Sequence, residues 1–516
     1  MRRYLLFTVF ISGMTTLAAE LAAARLIGNV FGTSNIVWAS IIGLMLIYLT
    51  FGYFLGGRWA DANPTPAALY RIIAWGAFTL GIVPLIAGPV LRSAANAFEF
   101  LQVGILGASF LAVLILFIVP ITLLGAVSPF AIRLSVNDPA HAGQVSGQIY
   151  AISTLGSFIG TFLPTLITIP AIGTRNTFLL FSLLLLAVAL VGLARFAARR
   201  EMLRHLWMPV VLLIAAVLSQ NQALKSSAGQ IYETESAYNY IQVVEQNGFT
   251  ILRLNEGQGV HSIYHPDTLL YNGPWDQVLV SPYFYANRRP ADVERVAIVG
   301  LAAGTTARQL TAAYGSIPID GFEIDPEIVE VGREYFGMTM PNLNVHIGDG
   351  RWNLEQSPHK YDIISVDAYR PPYIPPHMTT QEFFQIAADH LTGEGVLILN
   401  SASVPGDRRL INGLATTMGT IFPSIYTVEI PGSLNTVIFA TKQPTTAENF
   451  ATNLVALSND PSVHPLLVAS MQTAFSSLKS GYESTTVFTD DHAPIEWIVN
   501  DMVIRFILGG GTEYLQ

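Results

Sequence analysis

Two stretches decide the fold of the second half of this chain: VAIVGLAAGTTARQL at 296–310 and GFEIDPEIVEVGREYF at 321–336. Each joins a short apolar strand, at 296–299 and 317–322, to a helical pattern at 304–314 and 326–336. Further strands are predicted at 345–347, 363–366 and 396–400, with a helix at 379–391. Alternating strands and helices indicate a largely parallel, doubly wound α/β sheet. Its ligand site is expected at the carboxyl ends of the strands.

A small β-hairpin subdomain is predicted before this sheet. The segments 240–245 and 250–254 alternate apolar and polar residues, and Asn247-Gly248 lies between them. Asn-Gly is the preferred pair for a two-residue hairpin turn. We therefore expect a β subdomain at 231–290 and a catalytic α/β domain at 291–516.

The first half of the chain has the composition of a membrane domain. Residues 1–224 hold 12 Arg, no Lys and 5 acidic residues, a net charge of +7, whereas 225–516 carry −16. With a mean hydropathy of +0.45, an ordinary soluble, disordered or fibrous chain is excluded. We therefore predict a transmembrane helical domain at 1–224, with the lipid bilayer as its partner. About seven spans are predicted, at 4–31, 36–57, 69–91, 101–125, 145–170, 177–195 and 206–220.

Charge and cysteine content exclude several other functions. The chain has no Cys, so disulfides and thiolate metal sites are excluded. The acidic second half argues against binding to nucleic acid, because phosphates require a basic surface. Glu20 lies inside the first predicted span, where it serves either an ion or substrate pathway or a polar packing contact.

Three carboxylates are expected around one crevice, because each follows a predicted parallel strand. Gly300 and Gly304 form a glycine-containing turn after the first strand, and Glu323 ends the second strand 19 residues after Gly304. Asp349 and Asp367 follow the third and fourth strands. Acidic groups at such positions can accept the ribose hydroxyls and the base amino group of a nucleoside. The alternative is that each carboxylate only caps a helix or turn.

These motifs resemble those of the spermidine synthases, the polyamine aminopropyltransferases. The resemblance spans roughly 233–440 and includes 296–310, 321–336, ESAYNYIQVVE at 235–245, HIGDGRWNL at 346–354 and YDIISVD at 361–367. Three segments resemble integral-membrane spermidine-synthase-like proteins: 124–173, which ends in GQIYAISTLGSFIGTFLPTLITIPAIG, DAYRPPYIPPHMTTQEFF at 367–384 and TDDHAPIEW at 489–497. The helix pattern of the membrane half, residues 1–224, is similar to that of part of a major facilitator transporter. The resemblance implies a Rossmann-like sheet of the S-adenosylmethionine methyltransferase type.

The resemblance also implies roles for individual residues. Asp367 matches the catalytic aspartate, which deprotonates an amine. Glu323 would hold the ribose, and Asp349 and Gly350 the adenine, with Asn239 near the nucleoside and Gly300 and Gly304 in the glycine turn. Tyr238, Tyr271, Asp276 and Tyr369 are candidates for substrate binding, with core packing as the alternative for the first two. The implied donor is decarboxylated S-adenosylmethionine or S-adenosylmethionine, the acceptor is a small putrescine-like amine, no metal is required, and a homodimer is possible.

The departures from the family pattern leave the reaction open. Ala303 occupies the position of an aspartate that would hold the donor ammonium, and Arg370 stands where a carboxylate would bind a diamine. Tyr271-Asn272-Gly273 lacks the usual glutamate, unless Asp276, Asp490 or Asp491 replaces it. One alternative is an S-adenosylmethionine-dependent enzyme that transfers methyl or breaks down the donor. Another is a transporter-like membrane protein whose soluble domain senses a nucleoside or polyamine. His377 is either a general base or a residue that pins its loop.

Two arguments conflict about the side of the membrane. Arginines concentrate in the loops that are cytoplasmic if the N-terminus is inside. Seven spans then place the soluble half outside. A donor made in the cytoplasm favours the cytoplasmic side instead, and this is the side that we expect, with 206–220 as an interfacial or re-entrant helix. The alternative is an external domain that obtains its ligand through the membrane half.

Overall fold

The computed structural model describes residues 1–31, 35–101, 105–136, 138–197, 199–219, 227–255, 259–369 and 373–508. The chain forms two compact units. The helical unit comprises Met1–Ala228 and Glu233–Tyr240, and the α/β unit comprises Gly229–Tyr232 and Ile241–Gln516. The short segment Glu233–Tyr240 therefore packs with the helices, although it lies in the sequence beyond them.

Long apolar helices make up the helical unit. In chain order they are α1 Arg2–Phe31, α2 Asn35–Ala62, α3 Pro66–Leu101, α4 Ile105–Gly125, α5 Val127–Ser135, α6 Ala142–Leu163, α7 Ile169–Phe196, α8 Arg199–His205 and α9 Trp207–Ser219. The π-helical segment Pro164–Thr168 joins α6 to α7. Helices α1 and α6 cross with their backbones in contact: a Cβ on Gly156 would lie 2.0 Å from the carbonyl oxygen of Phe10. Gly156 and Gly160 thus allow close packing of the two helices.

Five stretches of the described chain are long and apolar enough to cross a membrane, against the seven predicted. They are Arg2–Asn29, Val37–Ala62, Pro66–Leu91, Ser109–Ser135 and Pro139–Phe196. The last holds 58 residues, about 87 Å of helix, far more than a bilayer core of about 30 Å. This stretch contains two of the predicted segments, 145–170 and 177–195, and Gly173, with φ 78°, interrupts the helix between them. The seventh, α9, has 13 residues, about 20 Å, which is short for a span.

The α/β unit contains an eight-stranded mixed sheet. Its strands are β5 Val296–Val299, β6 Ile319–Glu323, β7 Leu343–Ile347, β8 Tyr361–Val366, β9 Leu391–Ala402, β10 Ser424–Glu429, β11 Asn435–Thr441 and β12 Leu478–Ser480, in the order β12-β10-β11-β9-β8-β5-β6-β7. Strands β9, β8, β5, β6 and β7 are parallel, and the other three pair antiparallel. The doubly wound sheet predicted from the sequence is therefore confirmed.

Helices follow and cover these strands. They are α10 Pro274–Val278, α11 Thr305–Tyr314, α12 Pro326–Tyr335, α13 Gly350–Glu355, α14 Gln381–His390, α15 Arg409–Gly419, α16 Ala447–Ser458, α17 Pro465–Ser477 and α18 Ile495–Leu508. Short 3₁₀ segments occur at Ser281–Phe284, Pro290–Asp292 and Pro376–Met378. Strands β5 and β8 are buried along their whole length, as expected for parallel strands whose two sheet faces are both covered.

A four-stranded sheet precedes the large one, with strands β1 Gln230–Glu235, β2 Tyr240–Gln246, β3 Phe249–Leu254 and β4 Ser262–Tyr264 in sequential order. Strands β2 and β3 form the predicted hairpin, with Gln246 opposite Phe249. Asn247 and Gly248 between them have φ 54° and 84°. Positive φ at both positions is the requirement of a type I′ turn, which explains the Asn-Gly pair.

Candidate active site

The carboxyl edge of the parallel sheet brings together the residues that follow its strands. Val299 lies opposite both Phe322 and Val366, and Glu323 lies opposite Ile347. Backbone hydrogen bonds continue past the strand ends: the Asp367 N–H donates to the Val299 carbonyl at 2.8 Å. The glycine turn, Glu323, Asp349 and Asp367 therefore share one edge, as their spacing predicted.

The glycine turn approaches the end of β8 closely. Gly300 has φ 89°, and a Cβ there would lie 2.6 Å from both the Asp367 carbonyl oxygen and the Ala368 nitrogen. Gly304 has φ 83° and precedes α11, and a Cβ there would contact Met338 at 2.6 Å. Glycine is needed at both positions because each combines a left-handed backbone with an occupied Cβ position.

Glu323 is a buried carboxylate at the end of β6. Its Oε2 accepts from the Ala302 N–H at 2.9 Å, and its Oε1 accepts from the Asp325 N–H at 3.1 Å. Burial raises the pKa of Glu323 to about 7, although these backbone donors oppose the rise. The carboxylate thus ties the glycine turn to β6, and it retains lone pairs for a ligand.

Asp349 caps the helix α13. Its Oδ1 accepts from the Trp352 N–H at 2.9 Å, and its Oδ2 lies 3.2 Å from Nε2 of His377. At Gly350 a Cβ would lie 2.6 Å from Cγ1 of Val299, so a larger residue would push α13 off β5. The capping role and the predicted adenine role are compatible, because a carboxylate has four lone-pair sites.

Asp367 follows β8 and is partly buried. Its Oδ1 accepts from Nδ2 of Asn400 at 2.9 Å. Burial raises the pKa of Asp367 to about 6, and the hydrogen bond from Asn400 opposes that rise. A carboxyl group with such a pKa can accept a proton near neutral pH and release it again.

Three of the candidate substrate-binding residues are engaged inside the α/β unit. The Tyr369 hydroxyl accepts from the Ala402 N–H. The Tyr271 hydroxyl donates to the Thr268 carbonyl at 2.9 Å. Asp276 is 1% exposed, and it accepts from the Gly273 N–H at 3.1 Å and from the side-chain amide of Gln309. Its carboxylate orders the loop before α10, and its substrate role stays a prediction.

Tyr238, the fourth candidate for substrate binding, and Asn239, the candidate near the nucleoside, lie in the segment that packs with the helices. The Tyr238 ring is exposed, and the Tyr238 carbonyl accepts from Nη1 of Arg25 at 3.0 Å. The Asn239 N–H donates to the Ser236 hydroxyl at 2.9 Å. Arg370, which stands where the resemblance implies a diamine-binding carboxylate, lies outside the described residues.

Ala303 occupies an apolar environment. It is fully buried, belongs to a cluster with Ile241, Val331 and Phe336, and donates its N–H to the Ser262 hydroxyl at 3.0 Å. Ala303 also packs closely on α12, because a Cβ on Gly332 would lie 3.1 Å from the Ala303 Cα. The family's donor-binding aspartate thus has no equivalent at this position.

Beside Asp349, a cleft of about 430 Å³ is lined by Arg351, Pro376, His377, Thr380, Asp490 and Ala493. Both Nη atoms of Arg351 donate to the carboxylate of Asp490 at 2.7 Å, and the Thr380 hydroxyl donates to the same carboxylate. This ion pair holds the pKa of Asp490 below its usual range. Asp490 is therefore already paired with a cation, which weakens it as an anchor for an ammonium group.

Sequence reasoning missed Asn400, the direct partner of Asp367. A signal was present, because Asn400 ends the predicted strand 396–400 and polar residues at the carboxyl ends of parallel strands are candidates for the site. The pairing itself needed the register between β8 and β9, which the sequence does not show.

Comparisons with known proteins show which family this chain resembles. The spermine/spermidine synthase domain model matches residues 286–453. A probable polyamine aminopropyl transferase from Bifidobacterium longum is 33% identical over 298 residues, which cover 55% of this chain and 66% of that protein. A polyamine aminopropyltransferase from Vibrio vulnificus is 30% identical over 237 residues, 43% of this chain and 75% of that protein. The crystal structure of a probable spermidine synthase from Corynebacterium glutamicum aligns with a TM-score of 0.38 and 17% identity, over 51% of this chain and 98% of that one.

Proposed function

Because this chain belongs to the polyamine aminopropyltransferase (spermidine synthase) family, we propose that its α/β unit binds a sulfonium donor of the S-adenosylmethionine type and transfers the donor's aminopropyl group to an amine. The observation that carries the proposal is Asp367, a partly buried carboxyl group with a pKa of about 6 beside the glycine turn. The members of the family are transferases, and the choice of an amine as the acceptor is our proposal for this chain.

The reaction needs one base and close placement of two substrates. The amine nitrogen attacks the methylene carbon next to the sulfonium, a carbon–nitrogen bond forms, and the carbon–sulfur bond breaks. The bonding electrons leave with sulfur, which becomes a neutral thioether. Asp367 accepts the proton that the amine loses. Since the sulfonium is a good leaving group, most of the rate comes from proximity and orientation.

Glu323, Asp349 and the glycine turn support the donor part of the proposal. Glu323 ends β6 and accepts from the Ala302 N–H of the glycine turn, at a position where a ribose can donate both hydroxyls to a carboxylate. Asp349 and Gly350 begin α13 at the next strand end. We propose these residues as the ribose and adenine contacts, with Asn239, Tyr238, Tyr271, Asp276 and Tyr369 as secondary candidates.

Ala303 favours a second candidate function, the use of intact S-adenosylmethionine. Its buried apolar position offers no carboxylate to bind the donor ammonium, and none to repel the carboxylate of the intact donor. In that case the same site would transfer methyl or break down the donor, with Asp367 again as the base.

Titration calorimetry with product analysis tests the proposal. The detergent-purified protein is titrated with decarboxylated and with intact S-adenosylmethionine, and each mixture is then incubated with putrescine. We expect methylthioadenosine and an aminopropylated amine from the decarboxylated donor. The Asp367→Asn variant should bind the donor but lose about 10²- to 10⁴-fold in rate, whereas Asp389→Asn, on the surface of α14, should not. Binding of the intact donor alone, without an aminopropylated product, would support the second candidate.

We further propose that the helical unit lies in a lipid bilayer, because five of its stretches are long and apolar enough to cross one. The two ends of the bundle differ in charge. At one end Arg2 donates to Gln148 at 2.6 Å, and Arg195 lies 5.6 Å from the centre of the Tyr4 ring. The arginine-rich loops lie at this end, which the positive-inside rule assigns to the cytoplasm.

Segment Glu233–Tyr240 contacts the other end of the same bundle. Arg25 donates to the Ser236 carbonyl at 2.6 Å, and Glu235 accepts from Asn29 at 2.9 Å and from the Thr174 hydroxyl at 3.0 Å. The chain therefore leaves the helices opposite the arginine-rich end. These contacts support the non-cytoplasmic side for the residues that follow, against the cytoplasmic side that donor supply favours. An enzyme there needs its donor delivered across the membrane.

A further inference from the structure

Asn400 lies next to Asp367 because of the register of two parallel strands. Val366 of β8 pairs with Leu399 of β9, so the next residues of both strands emerge side by side at the carboxyl edge. Nδ2 of Asn400 donates to Oδ1 of Asp367 at 2.9 Å. This bond holds one oxygen of the carboxylate and leaves the other available to a substrate.

The second polar atom of the same side chain is buried without a partner. Asn400 is 9% exposed, and its Oδ1 has no hydrogen-bond partner among the residues that the structure describes. A buried acceptor of this kind costs free energy until a donor reaches it. Since amide bond lengths fix Oδ1 relative to Nδ2, the unpaired oxygen lies within about 5 Å of the Asp367 carboxylate.

We propose that Asn400 positions Asp367 and supplies a second acceptor for the reacting amine, which selects primary over secondary amines. The proposal rests on the proposed function. A neutral primary amine has two N–H groups: one is directed to Asp367, which takes that proton, and the other donates to Oδ1 of Asn400. The nitrogen lone pair then remains for attack on carbon. A neutral secondary amine has one N–H and leaves one of the two acceptors unpaired.

Infrared titration tests this without turnover. The carboxyl band of Asp367 is assigned by its loss in Asp367→Asn and is followed against pH in the full-length, detergent-purified protein. In Asn400→Leu, which removes both polar atoms at similar size, we expect the midpoint to rise by about one pH unit. Asn400→Asp should raise it further, because two carboxyl groups then share the site. The matched control is Asn344→Leu, because Asn344 donates to a different aspartate, Asp320, at 3.3 Å.

The selection between amines is tested with n-butylamine and N-methylbutylamine as probes in the same infrared measurement. The wild-type Asp367 band should respond to n-butylamine at about tenfold lower concentration than to the secondary amine, and Asn400→Leu should lose that preference. An unchanged midpoint in both Asn400 variants, or an equal amine preference in the wild type, overturns the proposal. If the wild type passes these tests but forms no aminopropylated product, the proposed reaction fails and the role of Asn400 stands. Near-ultraviolet circular dichroism checks that each variant folds.

Discussion

Asp367 should make the reaction dependent on pH in the physiological range. Its pKa is raised to about 6 by burial, and the base must be deprotonated to accept a proton. Turnover should therefore fall about tenfold for each pH unit below 6 and level off above it. The measurement is kcat at saturating donor between pH 4.5 and 8.5, because Glu323, with a pKa of about 7, also titrates there. A flat profile would contradict this assignment of the base.

Ala303 should not tolerate the aspartate that the family has at this position. Ala303→Asp would place a carboxylate in the apolar cluster with Val331 and Phe336. An unpaired buried charge costs about 3 kcal/mol or more, so the thermal unfolding midpoint should fall by several degrees. The control is Ala456→Asp on the exposed face of α16, where about 1 kcal/mol or less is expected. Equal midpoints for the two variants would show that position 303 is not a core position.

At the scale of elements, the glycine turn sets the position of the end of β8. Gly300→Ala should displace Asp367, since the new Cβ would lie 2.6 Å from the Asp367 carbonyl oxygen. Misplacement of a reacting group by about 1 Å can cost about 10²-fold in rate. We expect a loss of that order in kcat.

Gly315→Ala separates this contact from backbone strain. Gly315 has φ 78°, close to the 89° of Gly300, but no atom of the residues that the structure describes lies within 4 Å of the position of its Cβ. Both variants should lose about 1–2 kcal/mol of stability from the left-handed backbone. Only Gly300→Ala should lose turnover, and comparable kcat values for the two would exclude the steric explanation.

For the whole molecule, the contacts of the segment Glu233–Tyr240 predict sidedness. Alkaline phosphatase fused after Gln516 should be active, and green fluorescent protein fused there should stay dark, because the chain leaves the bundle opposite its arginine-rich end. The same reporters fused after Arg204 should give the reverse result. A fluorescent C-terminal fusion would place the α/β unit in the cytoplasm and overturn this prediction.

How far the sequence predicted the structure depended on how local each feature is. The hairpin around Asn247-Gly248 was predicted because φ > 0 at two adjacent positions leaves few residue choices. Strand β9 was predicted only at 396–400, although it runs over Leu391–Ala402. The antiparallel strands β10 to β12 were not predicted, because strand pairing depends on partners distant in the chain. The seventh apolar segment, α9, was predicted from composition, but its described helix is short for a span.

The sequence by itself determined the features that a local pattern encodes: a charge-poor helical half, an α/β half with a carboxylate after each of three strands, and the family. Only the tertiary structure decided which groups meet. It paired Asn400 with Asp367 through strand register, placed Ala303 in an apolar cluster, and packed Glu233–Tyr240 with the helices. Periodicity and turn chemistry depend on residues that are neighbours in the chain. These contacts join residues that are far apart in the sequence, so no local pattern predicts them.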